Sequence, residues 1–208
     1  EGYTFIILSD RGIDETHTSL PALLAVGAVH HYIVEKSLRN QIGIILESGE
    51  PREVHHFGLL FGYGADCINP YLAYEALGHI IEENKLNMNF KEALGNYIHA
   101  VEEGILKILS KMGISTLQSY RGAQIFEALG LNDEVIERCF TGTASRIGGA
   151  DFEVIKEEAL KRHRDAYPER ALEILRFAQD DPFIREKNSP RGHLNSGGLY
   201  QWKRDGEF

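Results

Sequence analysis

The chain has 208 residues, 43% hydrophobic and 25% charged, the balance of a soluble globular protein with one well-buried domain and length for a small second one. Its formal net charge of -9 leaves no basic stripe of the kind that neutralises nucleic-acid phosphates, so a nucleic-acid partner is not expected. Cys67 and Cys139 are the two cysteines and share no C-x-x-C spacing. That argues against a disulfide framework, a zinc ribbon or a cluster-binding loop, and predicts reduced, buried thiols in a cytoplasmic protein.

The first element predicted is a strand over residues 3–8 (YTFIIL), a continuous apolar run of the sort buried on both faces, ending in Ser9, Asp10, Arg11 and Gly12. Thr18 or Ser19 can cap the helix that follows over residues 20–38, with Pro21 inside its first turn. A second strand, 42–46, runs into Glu47, Ser48 and Gly49. Residues 53–63 carry His55, His56, Leu59 and Leu60 at helical spacing and predict a helix stopped at Gly62 or Gly64. A very short strand, 65–68, closes at Asn69 and Pro70, and Pro70 starts a helix over 71–83. After a polar hinge, residues 90–112 predict one long helix, or two broken near Asn96.

The stretch KMGISTLQSYRGAQIFEALG, 111–130, reads as a helix end, a Gly stop, a strand over 114–117, a polar turn of Gln118, Ser119, Tyr120 and Arg121, and a helix over 123–129. A short helix over 132–140 and a small-residue loop over 141–149 follow. Residues 151–178 are helical in pattern and heavily charged, with a break at Pro168, and 180–208 have the composition of an extended segment. The apolar runs 19–29 and 54–63 are too short to cross a bilayer and are interrupted by His or Gly, so no membrane partner is expected. Entry into a strand by residue 3, with no initiator Met, reads as a piece of something longer.

Strands alternating with helices predict an α/β fold with a mostly parallel sheet. Four βα units are too few to close an eight-stranded barrel, and suit a partial barrel or an open sheet, with a helical and irregular C-terminal extension. The domain plan is βα units over 1–150, charged helices over 151–179 and an extended linker over 180–208.

Ligands of α/β proteins gather at the carboxyl ends of the strands. That face collects Ser9, Asp10, Arg11, Glu47, Ser48, Asn69, Gln118, Ser119, Tyr120 and Arg121. Asp10 and Glu47 with Arg11 or Arg121 could bind or polarise a small ligand, or the same groups could simply satisfy one another and cap helices. Neighbouring histidines, His30 with His31 and His55 with His56, point about 100° apart on a helix and do not share a metal. Gly62 to Gly64 and Gly148 with Gly149 lack the context of a phosphate loop and are read as helix caps and loops. Ser48 and Ser119 lack the G-x-S-x-G elbow of a serine nucleophile. No catalytic, cofactor-binding or metal-binding residue is assigned.

Longer strings carry more than these motifs. ILSDRG at 7–12, LPALLAVGAVHH at 20–31, ESGEPREVHHFGLLFGYGADCINPYLA at 47–73, KMGISTLQSYRGAQIFEALGL at 111–131, FTGTASRIGG at 140–149 and YQWKRDGEF at 200–208 together resemble the large subunit of glutamate synthase. The resemblance implies a parent enzyme in which a glutaminase domain with a cysteine nucleophile releases ammonia. The ammonia passes through an internal tunnel to an FMN barrel, where it is added to 2-oxoglutarate and the product is reduced to glutamate, with electrons delivered to FMN by an iron-sulfur cluster. It places this chain in the latter part of the central domain, a degenerate relative of the barrel fold, between the glutaminase and FMN-binding domains. On that reading the segment itself is inactive, holds no cofactor, and connects its neighbours while lining the ammonia path. The parent's electron donor, a reductase subunit or ferredoxin, is left open. An isolated segment would expose an apolar sheet edge and self-associate. The competing reading is a free-standing small-ligand binder or enzyme using the strand-end face, and a separately encoded subunit is a third.

Overall fold

A computed structural model describes residue 2 and residues 4–168, and the expectations for 169–208 lie outside the described residues. The described part has five strands and seven helices in mixed α/β order. β1 (Phe5–Ser9), α1 (Ala22–Glu35), β2 (Gly43–Glu47), α2 (Val54–Gly62) and β3 (Cys67–Asn69) form a parallel three-stranded sheet with its connecting helices, in the order β1-β2-β3. Then come α3 (Tyr71–Glu82), α4 (Phe90–Met112) and α5 (Leu117–Tyr120). A second parallel pair, β4 (Glu127–Leu131) and β5 (Ala144–Ala150), brackets α6 (Asp133–Cys139), and α7 (Phe152–Ala166) follows. No closed barrel is present among the described residues, and the strands make two small sheets.

Three cores hold these elements. Val26 and Ala22 of α1 meet Leu46 of β2, Leu60 of α2 and Ala65. Phe57 of α2 packs on Ile105 and Leu109 of α4 and on Tyr120 of α5. Val135, Ile136 and Cys139 of α6, with Phe140, pack against Leu23, Leu24 and Ala28 of α1. Helix α1 therefore serves two cores, one on each side. Gly27 permits this, because a Cβ there would run into the backbone carbonyl of Cys139 and lie 3.2 Å from the Phe140 ring.

Several expectations need correction. Among the described residues β1 is an edge strand with one partner, and Phe5 and Ile7 are 65% and 64% exposed, so its apolar run does not mean burial on both faces. Neither Thr18 nor Ser19 caps α1. Pro21 occupies the N-cap, and the Glu50 carboxylate accepts from the Ala22 N–H at 2.9 Å, a cap brought from 28 residues away. Cys67 is exposed, while Cys139 is buried as expected.

The largest revision falls on 111–130. Thr116 accepts a hydrogen bond from the Ser119 N–H and caps α5 where a polar turn was predicted, so the run 114–117 makes no strand. The predicted helix over 123–129 ends instead in β4, and the predicted loop over 141–149 contains β5. A Cβ on Gly149 would lie 2.8 Å from the Gly130 carbonyl carbon, so glycine here lets two backbones meet and is not a loop marker. Each of the five strands is followed by a helix, which makes five βα units in place of four.

Candidate functional site

Parallel pairing brings the strand ends level: Ser9 lies opposite Glu47, and Glu47 opposite Asn69. Around the Glu47 carboxylate, Ser9 Oγ donates at 2.7 Å, Arg11 Nε at 2.7 Å and Asn69 Nδ2 at 3.2 Å. One residue further along, Ser48 Oγ donates to Asp10 at 2.6 Å and the Gly49 N–H donates to the same oxygen at 3.0 Å. The Arg11 guanidinium lies 4.1 Å above the Tyr71 ring and reaches Glu75 at 3.8 Å. Six of the ten residues expected on this face are thus joined in one network beside a groove of about 460 Å³, whose walls include Ile13 and Leu20.

The hydrogen bond from Arg11, followed by that from Ser9, holds the Glu47 carboxyl below its ordinary range, and Glu47 raises Arg11 in return. Burial, then a hydrogen bond to Asp10, pushes the Tyr71 hydroxyl up to about 12. A general acid or base works best with its pKa near the working pH, and these shifts lead away from it. The network suits holding loops in place or offering a charged contact surface.

Gln118, Ser119, Tyr120 and Arg121 do not join that face. Tyr120 is fully buried and donates its hydroxyl to the Gly58 carbonyl at 2.9 Å. Ser119 accepts from Thr116 Oγ1 at 3.0 Å. Arg121 donates to Gln118 Oε1 at 2.6 Å and pairs with Asp66, which precedes β3 and so marks the amino end of the sheet. The polar stretch after α4 therefore sits at the opposite end of the strands from the one predicted, because α5 takes the place of a strand.

Asp66 is the hub of this second cluster. It accepts from the Ile44 N–H at 2.8 Å and from Arg39 Nη2 at 2.9 Å as well as pairing with Arg121. Arg39 also donates to His30 Nδ1 at 3.0 Å, to the Ile42 carbonyl at 2.8 Å and to the Gly64 carbonyl at 2.9 Å. Accepting at Nδ1 makes the His30 ring neutral with its proton on Nε2. Burial first, then the neighbouring His31, Arg39 and Arg121, lowers its pKa to about 4. Sequence reasoning missed Asp66, Arg39 and His30. The one available signal was an aspartate inside the short apolar strand predicted over 65–68, where a charge needs a partner. Among the described residues, no three His, Cys, Asp or Glu side chains converge to hold a metal ion.

The family model described as glutamate synthase central domain matches residues 1–132. The chain is 48% identical over 207 residues to the glutamate synthase [NADPH] large chain of Bacillus subtilis, covering 100% of this chain and 12% of that one. It is 52% identical over 170 residues to the glutamate synthase [NADH] of Schizosaccharomyces pombe, covering 81% of this chain and 8% of the relative. It is 45% identical over 209 residues to the ferredoxin-dependent glutamate synthase of Pyropia yezoensis, covering 94% of this chain and 13% of the relative. The chain thus spans about an eighth or less of the length of these relatives, and with that match over most of its residues it belongs to the glutamate synthase central domain family.

Proposed function

We propose that this chain is the connecting part of an enzyme that makes two glutamates from glutamine, 2-oxoglutarate and a reductant. In this reading it holds a glutaminase domain and an FMN-binding synthase domain of the same polypeptide in register, and residues 180–208 link it to the FMN barrel. Its small parallel sheets would form part of a degenerate TIM-type barrel. The same reading has the chain wall part of the ammonia path in a cytoplasmic enzyme.

FMN and the iron-sulfur cluster are assigned to other parts of the polypeptide. Cys67 is exposed at the start of β3 and Cys139 is buried in α6, so the described thiols do not fit a cluster, which needs several cysteines together. The relatives are named for NADPH, NADH or ferredoxin, and glutamate formation by the full-length enzyme with each of the three in turn identifies the donor.

One observation carries the reading. Both carboxylates at the strand ends, Asp10 and Glu47, are engaged by several partners within the chain, and this leaves a structured charged surface. Arg11 ties Glu47, Tyr71 and Glu75 together at that surface. In the full-length enzyme, Arg11→Ala is expected to lower glutamine-dependent glutamate formation severalfold while ammonia-dependent formation holds. Equal rates to wild type in both assays would remove the connecting role from this face. Saturable turnover or binding of a small molecule at the 460 Å³ groove would favour the ligand-binding alternative.

A further inference from the structure

At the amino end of the first sheet two guanidiniums share one carboxylate. Arg39 and Arg121 both pair with Asp66, which leaves the cluster with one positive charge uncompensated. Their side chains are 18% and 19% exposed, so water screens that charge less than it would on an open surface. His30 adds no charge, since its Nδ1 accepts from Arg39. The remaining polar rim is uncharged, with Thr4, Asn40, Gln41 and Gln118. In a chain of net charge -9 this makes a positive spot on an acidic molecule.

The two arginines are held differently. Arg39 uses all three nitrogens, on His30, Ile42, Gly64 and Asp66. Arg121 is held through Nη1 by Asp66 and through Nη2 by Gln118, and its buried Nε has no partner among the described residues. A guanidinium has five N–H donors, so Arg121 has donors to spare. Both arginines line a groove of about 480 Å³, room enough for a small organic anion.

We propose that this groove binds a small molecule bearing a carboxylate, which pairs with Arg121 while its polar remainder meets Thr4, Gln41 and Gln118. The planar guanidinium fork matches a planar carboxylate with two parallel hydrogen bonds, a fit that a spherical anion does not offer. The amide side chains of the rim supply donors and acceptors for polar substituents. Burial, and then repulsion from Arg39, lowers the pKa of Arg121, and a bound anion offsets both effects.

Succinate titrated calorimetrically into the 208-residue chain tests the site, with phosphate and sodium chloride at matched ionic strength as comparators. Saturable binding of one succinate is expected, weakened at least tenfold in Arg121→Gln and tightened severalfold in Asp66→Asn, which removes the competing internal charge. The opposite signs separate a binding effect from a general loss of structure. Gln118→Ala leaves both ion pairs in place and is expected to weaken succinate about threefold, which keeps the test open should either charge variant fail to fold. The proposal is overturned by non-saturable succinate binding, by phosphate binding tighter than succinate, or by wild-type affinity in Arg121→Gln or Gln118→Ala.

Discussion

Tyr120 shows how a single side chain ties elements together. Its ring fills the core between α2 and α4, and its hydroxyl reaches the Gly58 carbonyl, so α5 is held by burial and by one hydrogen bond at once. Tyr120→Phe keeps the first and loses the second, and is expected to cost about 1 kcal/mol of unfolding free energy by urea denaturation. His30 works through its charge state. The folded chain keeps it neutral down to a pH of about 4, against an ordinary value of 6.5 for an unfolded histidine. Between those values the unfolded chain binds a proton that the folded chain refuses. This contribution to stability is therefore complete above pH 6.5 and is lost as pH falls from 6.5 toward 4. His30→Gln retains an acceptor for Arg39 without a titrating group, and its stability should fall less steeply than that of wild type across this window. Parallel slopes in the two proteins would show that His30 does not drive the loss.

Among elements, α1 bears a close contact, with Gly27 directly against the last turn of α6. Gly27→Ala places a methyl group where the Cys139 carbonyl lies, and about 1–3 kcal/mol of destabilisation is expected by thermal unfolding, as for other overpacked contacts. The longer helices were the legible part of this chain. Residues 90–112 repeat apolar side chains at helical spacing, Asn89 and Asn132 cap the helices that follow them, and α3 begins right after Pro70. β4 and β5 were not legible, because EALGL is composed mostly of good helix formers and ASRIGGA of small residues. Their strand character comes from pairing with each other, which no local pattern encodes. The same distinction divides the candidate site. The row from Ser9 to Asn69 follows from strand ends that periodicity located, whereas the Asp66 cluster depends on α5, a four-residue helix with too few residues to show a period.

On the scale of the whole molecule, the first sheet is asymmetric. β2 is central, with Ile44 and Leu46 buried, while β1 exposes Phe5 and Ile7 on its outer side. An apolar edge strand is a template for pairing with another chain. The isolated chain is expected to self-associate through it, and Ile7→Glu should lower the mass observed by light scattering toward that of a monomer without changing the circular dichroism spectrum. A chain that is monomeric at all concentrations, with or without the substitution, would rule this out.

The pairing order described for the two sheets bears on how the chain is made. β1 pairs with β2, β2 with β3 and β4 with β5, so within each sheet the strands lie side by side in the order of the sequence. Contacts between neighbours close short loops, and chains made of such contacts can organise progressively from the end that is synthesised first. The first sheet needs nothing beyond Asn69 to complete its ladder, and the second needs nothing before Glu127 to begin its own. On a ribosome, the first sheet can thus take shape as soon as its last strand emerges. Its structure then stands ready as a surface on which later parts of the chain can settle.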